Sequence, residues 1–474
     1  MGNSPNQLPE DHALYPLTPF DRLFERSTFV TGWLLEGKLD EQVLSDAIQK
    51  VTEKWRMLAG RVVSREEGEG TSWYLKIPLG PLPPTYATYK ITTTSSPNPL
   101  SFYNITLPLQ HGINNSLPYT LFLHADTPRH YKAWAEGGGV PLTCWHLTYF
   151  NEGYTCLGFA RSHGVFDGVG AVQVVNAVVD ELAGNETEWT PPPLPLPGMV
   201  ENPVQRALEE ISAQNPGEDG FPLKSPLYSA MGVTGALGMA AWHLRERYWR
   251  NAVPRCLVIP DRVVTSLVRG VRQRVLEERG RVGLGTEEVS TGDVLVAWLM
   301  KTIYSRGTNP HTTVHCSNLA SFRSLLGSDK EILKYPHNAW TPLPYPPYSV
   351  EDLNSLPLHE LSRRLAEARH SFDKVHVACA YNTLRKHPLA MPVHETADES
   401  FLVSNVSASR ILEADWGMKT ICGYRYSLTP NALLLTNSAY VSGRLPNGSH
   451  LIEVTVSEER IKLVKEEVNR LIGV

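Results

Sequence analysis

Between Thr190 and Pro226 the chain loses its hydrophobic periodicity, and this break limits the possible folds more than any other stretch. It opens on Pro191-Pro192-Pro193-Leu194-Pro195-Leu196-Pro197-Gly198 and later holds Asn215-Pro216-Gly217-Glu218-Asp219-Gly220. Proline fixes φ and lacks a backbone donor, so this run cannot lie inside a helix or a central strand. It reads as a semi-rigid surface crossover, not as core. The 474 residues allow two or three domains. The break favours two: an N-terminal domain over 1–190, a crossover over 191–225 and a C-terminal domain over 226–474.

Amphipathic helices alternate with strand-like runs in both halves. Asp40 can cap a helix in which Val43, Leu44, Ala47, Ile48 and Val51 recur at three- and four-residue spacing. Ser290 and Asp293 form a capping box ahead of Val294, Leu295, Trp298 and Leu299. Leu358, Leu361, Leu365, Ala368 and Phe372 mark another helix, and Ile461, Val464, Val468 and Leu471 a last one. Strands are expected at Tyr154–Arg161 and Phe401–Ser407, and as a hairpin of Ala432–Arg444 with His450–Val456 across Pro446-Asn447-Gly448.

Forty-four Lys and Arg against 49 Asp and Glu give a net charge of −5, which offers no electrostatic reason to expect nucleic acid. The N-terminus has neither a basic n-region nor an apolar h-region, and Asn6 stands where a myristoylation signal needs Ser or Thr. A cytoplasmic protein is therefore expected, with its sequons at Asn104, Asn114, Asn185, Asn405 and Asn447 unused. Cys144, Cys156, Cys256, Cys316, Cys379 and Cys422 are scattered, which suggests neither a disulfide framework nor a zinc ribbon. Pro226 to Trp242 carries no charge but is short for a span and glycine-interrupted, so a buried or interfacial helix is expected over peripheral membrane contact.

The chemistry is concentrated in Gly158-Phe159-Ala160-Arg161-Ser162-His163-Gly164-Val165-Phe166-Asp167-Gly168-Val169-Gly170. An apolar strand runs into His163, two glycines bracket a turn, and an apolar helix follows to Leu182. A strand fixes the backbone of such a histidine and the turn exposes its ring, as a general base requires. Asp167 can cap the helix or join a buried ion pair, and Asn338 reads as a turn residue. His311 and His315 lie four apart without the Glu of H-E-x-x-H, so no metal site is expected. No G-x-S-x-G elbow appears, which argues against an α/β-hydrolase. Trp145, Tyr149 and Phe150, and Tyr345 and Tyr348, are aromatic groups better assigned to packing than to an acceptor pocket.

These residues resemble the chloramphenicol-acetyltransferase-like superfamily, and within it the BAHD-type acyl-CoA-dependent acyltransferases, especially the fungal secondary-metabolite branch. His163-Gly164-Val165-Phe166-Asp167-Gly168 matches the signature H-x-x-x-D-G, and Pro16-Leu17-Thr18-Pro19-Phe20-Asp21 is similar to the family's opening P-L-x-P-x-D. Ser290 to Trp298 resembles the helix after the crossover, and Asn318 to Arg323 with Tyr335 to Ala339 the family's R…Y-x-G-N region. Glu413-Ala414-Asp415-Trp416-Gly417-Met418-Lys419 occupies the place of D-F-G-W-G but departs from it at Trp416, Met418 and Lys419.

The resemblance implies an α/β fold of two domains, each a mixed β-sheet with flanking helices, joined by the long crossover and separated by a solvent channel. It implies His163 as the catalytic base, with Asp167, Gly168 and Arg323 supporting its turn and Asp415 and Gly417 building a structural loop. Gly168 would leave room for backbone and ligand to approach. The expected activity is acyl transfer, acetyl transfer foremost, from acyl-CoA as co-substrate to a hydroxyl of a small-molecule secondary metabolite. A direct ternary complex, no bound cofactor and a monomer are expected with it. Alternatives are the same fold repurposed as an isomerase, cyclase or condensation-type enzyme, or an idle member acting as a binding or regulatory protein. Ser162 replaces the first His of H-H-x-x-x-D-G, which weighs against condensation.

Overall fold

The computed structural model describes residues 11–23, 27–67, 70–136, 139–185, 187–215, 224–230, 232–279, 288–388, 390–429 and 435–473. Among these residues, mixed α/β structure is organised around three sheets. A four-stranded sheet runs Arg61–Glu67, Gly70–Pro78, His12–Pro16, Gly198–Met199. A five-stranded sheet runs Lys419–Leu428, Thr28–Glu36, Tyr154–Ser162, Thr143–Phe150, Lys90–Ser95. The largest sheet orders Trp340–Pro342, Thr313–Ser321, Glu399–Asn405, Ser438–Arg444, His450–Val456, Val253–Ile259 and Gly112–Asn115. Tyr348–Ser349 also pairs with Thr313–Ser321.

Two of these strands change sides. Lys419–Leu428 comes from the C-terminal half and pairs antiparallel with Thr28–Glu36 of the other half, Arg425 opposite Thr31 and Ser427 opposite Phe29. In return Gly112–Asn115 pairs with Val253–Ile259 at the edge of the largest sheet. One core therefore draws Trp33, Phe122, Phe159 and Val178 together with Trp416, Tyr424 and Tyr426. A second core packs Leu295, Leu299, Leu361, Leu365, Val464 and their neighbours against the largest sheet.

Local sequence signals account for the helix starts. Asp40 Oδ1 accepts from the Gln42 and Val43 amides at the head of Glu41–Lys54. At Thr291–Ile303, Ser290 and Asp293 cap each other through the Ser290 hydroxyl, 3.1 Å from the Asp293 amide, and Asp293 Oδ2, 2.8 Å from the Ser290 amide. Ser438–Arg444 and His450–Val456 form the hairpin over Pro446-Asn447-Gly448; the part expected at 432–434 lies outside the described residues.

Two expectations change. The crossover is not bare surface chain, because Pro203–Gln214 is a helix capped by Asn202. Val204, Ala207, Leu208 and Ile211 recur at helical spacing and are buried against the first core, outweighing the surrounding proline and glycine. The uncharged segment becomes the helix Val233–Leu244, followed by a wider π-helical turn at Arg245–Trp249. The buried alternative fails, since Leu237 in the helix is 65% exposed and Tyr248 and Trp249 in the turn are 67 and 78% exposed; the interfacial alternative is left. Among the described residues, no helix is long and apolar enough to cross a membrane.

Candidate active site

Tyr154–Ser162 is the middle strand of the five-stranded sheet, with Thr155 to Ser162 buried. A strand covered on both faces reads as a continuous apolar run, and this one holds the next residue rigidly. The His163 amide donates to the Ser27 carbonyl at 3.1 Å, and its carbonyl accepts from Asn338 Nδ2 at 2.9 Å. Amides of Val165 and Phe166 then return to the Ser162 carbonyl and close the turn.

Asp167 both caps the helix and forms an ion pair, one oxygen for each. Its Oδ1 accepts from the Val169 and Gly170 amides at 2.9 and 3.1 Å, opening the helix Gly168–Leu182. Its Oδ2 lies 2.7 Å from Arg323 Nη2, with both side chains buried. Arg323 further donates to the carbonyls of Tyr335 and His337 at 2.9 and 2.6 Å. His337 Nδ1 donates to the Val165 carbonyl at 2.6 Å. The His163 turn is thereby tied to the 335–339 segment of the other half.

Asn338 is fully buried, so the turn reading misses its role. Its amide and Nδ2 donate to Asp21 Oδ1 at 2.8 and 3.1 Å, and its Oδ1 accepts from Trp340 Nε1 at 3.0 Å. Asp21 Oδ2 accepts from the Thr18 amide and hydroxyl at 2.7 and 2.9 Å. Burial pushes the Asp21 carboxyl up to about 7 against these donors.

Of the two approaches expected at Gly168, that of backbone occurs two residues later, at Gly170. A Cβ on Gly170 would stand 1.9 Å from the Pro336 carbonyl oxygen, whereas one on Gly168 would meet Val406 Cγ1 at an ordinary 3.5 Å. Gly170→Ala is expected to cost about 1–3 kcal/mol by overpacking. Gly168→Ala, at an unstrained helical position, should be neutral or slightly stabilising. Urea unfolding midpoints of the two variants check this contrast.

Between the five-stranded and the largest sheets lies a cavity of about 470 Å³, lined by His163 with Phe29, Arg161, Trp340, Leu402 and Tyr440. Its size suits a small organic ligand. Asp167, Gly168 and Arg323 also reach its wall; Asp415 and Gly417 do not. Those two make an exposed turn, Asp415 Oδ1 accepting from the Gly417 amide at 3.0 Å, with Gly417 at φ +70°. Between them Trp416 is buried against Trp33, ring centroids 5.0 Å apart. The aromatic groups at Trp145 and Phe150 and at Tyr345 and Tyr348 are buried in the two cores and line no part of this cavity.

The His163 ring lies edge-on to Phe29 at 5.0 Å. Burial and then the Arg161 charge push its pKa down to about 3, so the imidazole is neutral at pH 7. Arg161 was not singled out in the sequence, although the two-residue alternation of a strand puts it on the same face as His163. Among the described residues, no group of His, Cys, Asp and Glu could hold a metal ion.

This topology is that of a known fold. The chain has the two-domain fold of the BAHD-type acyltransferases, as the resemblance in its motifs implied. It is similar over 95% of its length to TRI101 of Fusarium graminearum, solved with coenzyme A and T-2 mycotoxin, covering 96% of that chain at TM-score 0.62 and 14% identity. No family model matches the chain. Its curated relatives include the O-acyltransferase pboC of Aspergillus ustus, 28% identical over 53% of this chain and 50% of that protein. The acetyltransferase adrJ of Penicillium rubens is 23% identical over 61% of this chain and 56% of that one. The chain thus spans about half the length of the curated relatives it matches.

Proposed function

We propose that this protein is an acyl-CoA-dependent O-acyltransferase that transfers an acetyl or related acyl group to a hydroxyl of a small secondary metabolite. The observation that carries the reading is the His163 ring, fixed at a strand end and facing a cavity of about 470 Å³. The fungal relatives, one an O-acyltransferase and one an acetyltransferase, support the same chemistry.

In this mechanism a ring nitrogen of His163 takes the acceptor hydroxyl proton while the oxygen attacks the thioester carbonyl. The tetrahedral oxyanion collapses, the carbon–sulfur bond breaks, and the imidazolium returns the proton to the departing CoA thiolate. A thioester is already activated, so no acyl-enzyme is needed. Asp167 and Arg323 are positioning residues that hold the turn, and Asp21 acts through Asn338 on the His163 carbonyl. Asp415 and Gly417 serve as a structural loop outside the cavity.

The test is incubation with labelled acetyl-CoA and a panel of metabolite alcohols, wild type beside His163→Ala. Transfer by the wild type alone is expected. Failure of the wild type to bind CoA in a calorimeter overturns the assignment. A lowered pKa keeps the base neutral further into acid, so the acid limb of kcat/KM is expected below pH 5. A pH–rate profile with a limb near 6.5, the ordinary histidine value, contradicts the lowered pKa.

A further inference from the structure

Three arginines line the His163 cavity, and two of them are matched by carboxylates. Arg323 is paired with Asp167 at 2.7 Å. Arg425 is paired with Glu453 at 2.9 Å, and its amide also donates to that carboxylate at 2.6 Å. Arg161 is 2% exposed and, among the described residues, no carboxylate forms an ion pair with it. Its guanidinium carries five N–H donors. One of them, on Nη1, reaches Thr31 Oγ1 at 3.2 Å, while Nε is buried with no acceptor. Arg425 Nη2, lining the same cavity, is likewise buried with no acceptor.

Its other close partners are ring faces, which attract the cation but satisfy none of its N–H donors. Arg161 stacks on Phe29 and Phe159, ring centroids 4.9 and 5.0 Å from its central carbon. Burial lowers its pKa to about 9, with Asp167 opposing and Arg425 adding to the fall, so it is still cationic at pH 7. A buried cation with no carboxylate paired to it is poorly compensated, and an anion entering the cavity would relieve that. The guanidinium fork suits a planar carboxylate held by two parallel hydrogen bonds.

Resting on the acyltransferase reading, we infer that one of the two substrates carries a carboxylate, which Arg161 binds beside His163 with Arg425 at its flank. The carboxylate belongs either to a hydroxy-acid acceptor or to a dicarboxylic acyl chain such as succinyl. Its binding has a chemical consequence. Arg161 disfavours the imidazolium that His163 forms as it takes a proton, and a bound carboxylate cancels that charge. Substrate charge would then strengthen the base at the moment it is needed.

Calorimetry on the whole protein separates the sources. One arm compares salicylate, 3-hydroxybenzoate and 4-hydroxybenzoate with their methyl esters; the other compares succinyl-CoA with butyryl-CoA. In one arm the carboxylate is expected to bind at least tenfold tighter than its neutral partner. That preference should fall below about threefold in Arg161→Gln and return in part in Arg161→Lys. Equal affinity of charged and neutral partners in both arms, no binding in either, or a preference that survives Arg161→Gln overturns the inference. A wild type that binds butyryl-CoA as well as succinyl-CoA, with no acid preferred to its ester, retains the acyltransferase reading and loses this one. A wild type that prefers an acid to its ester but binds neither thioester loses the acyltransferase reading and keeps only a carboxylate site at Arg161. As the ester comparison is made on unmodified protein, poor folding of a variant cannot imitate either result.

Discussion

Replacing His163 by alanine is expected to lower acyl transfer by roughly 10²- to 10⁴-fold, the usual contribution of a positioned general base. On the proposed mechanism the loss falls on kcat, because there the imidazole handles a proton and does not hold CoA. The fold should survive the change. The turn at His163 is fixed through main-chain groups, its amide on the Ser27 carbonyl and its carbonyl on Asn338, and alanine keeps both. CoA release measured beside a denaturation curve therefore checks the prediction. A variant that folds normally and retains more than a tenth of the wild-type rate would remove His163 from the role of base.

The second large effect is on stability. Asp167→Asn is expected to destabilise the protein by about 3–5 kcal/mol, the loss that follows removal of one partner from a buried ion pair. Asparagine retains an oxygen for the Val169 and Gly170 amides, so this variant isolates the Arg323 pair from the helix cap. Asp167→Ala removes the cap as well and should cost roughly 1 kcal/mol more. A cycle closed with Arg323→Met measures the coupling. An Asp167→Asn protein within 1 kcal/mol of wild type would show that the pair is not essential to the turn.

Much of this was legible because it is local. The strand running into His163, the Asp167 cap and the Ser290–Asp293 capping box each depend on residues a few positions apart, whose spacing is written directly in the chain. Arg323 was reached only through resemblance, since 156 residues separate it from Asp167. Asp21 and Asn338, 317 residues apart, become one hydrogen-bonded unit only when both halves have folded. Arg161 was hidden differently. It stands in an apolar strand where its charge looks out of place, and period-two alternation with His163 was the available signal. The helix Pro203–Gln214 was obscured by the prolines and glycines on either side.

The reciprocal placement of Lys419–Leu428 and Gly112–Asn115 bears on how the chain can be divided. Cut at the crossover, the N-terminal piece would leave Thr28–Glu36 as the outermost strand of its sheet, and every residue from Thr28 to Leu35 is buried in the intact protein. An apolar edge of that kind invites pairing with whatever strand is nearest. Each half therefore covers a sheet edge of the other. The two polypeptides should be insoluble when made separately and should recover a shared, working body when made together.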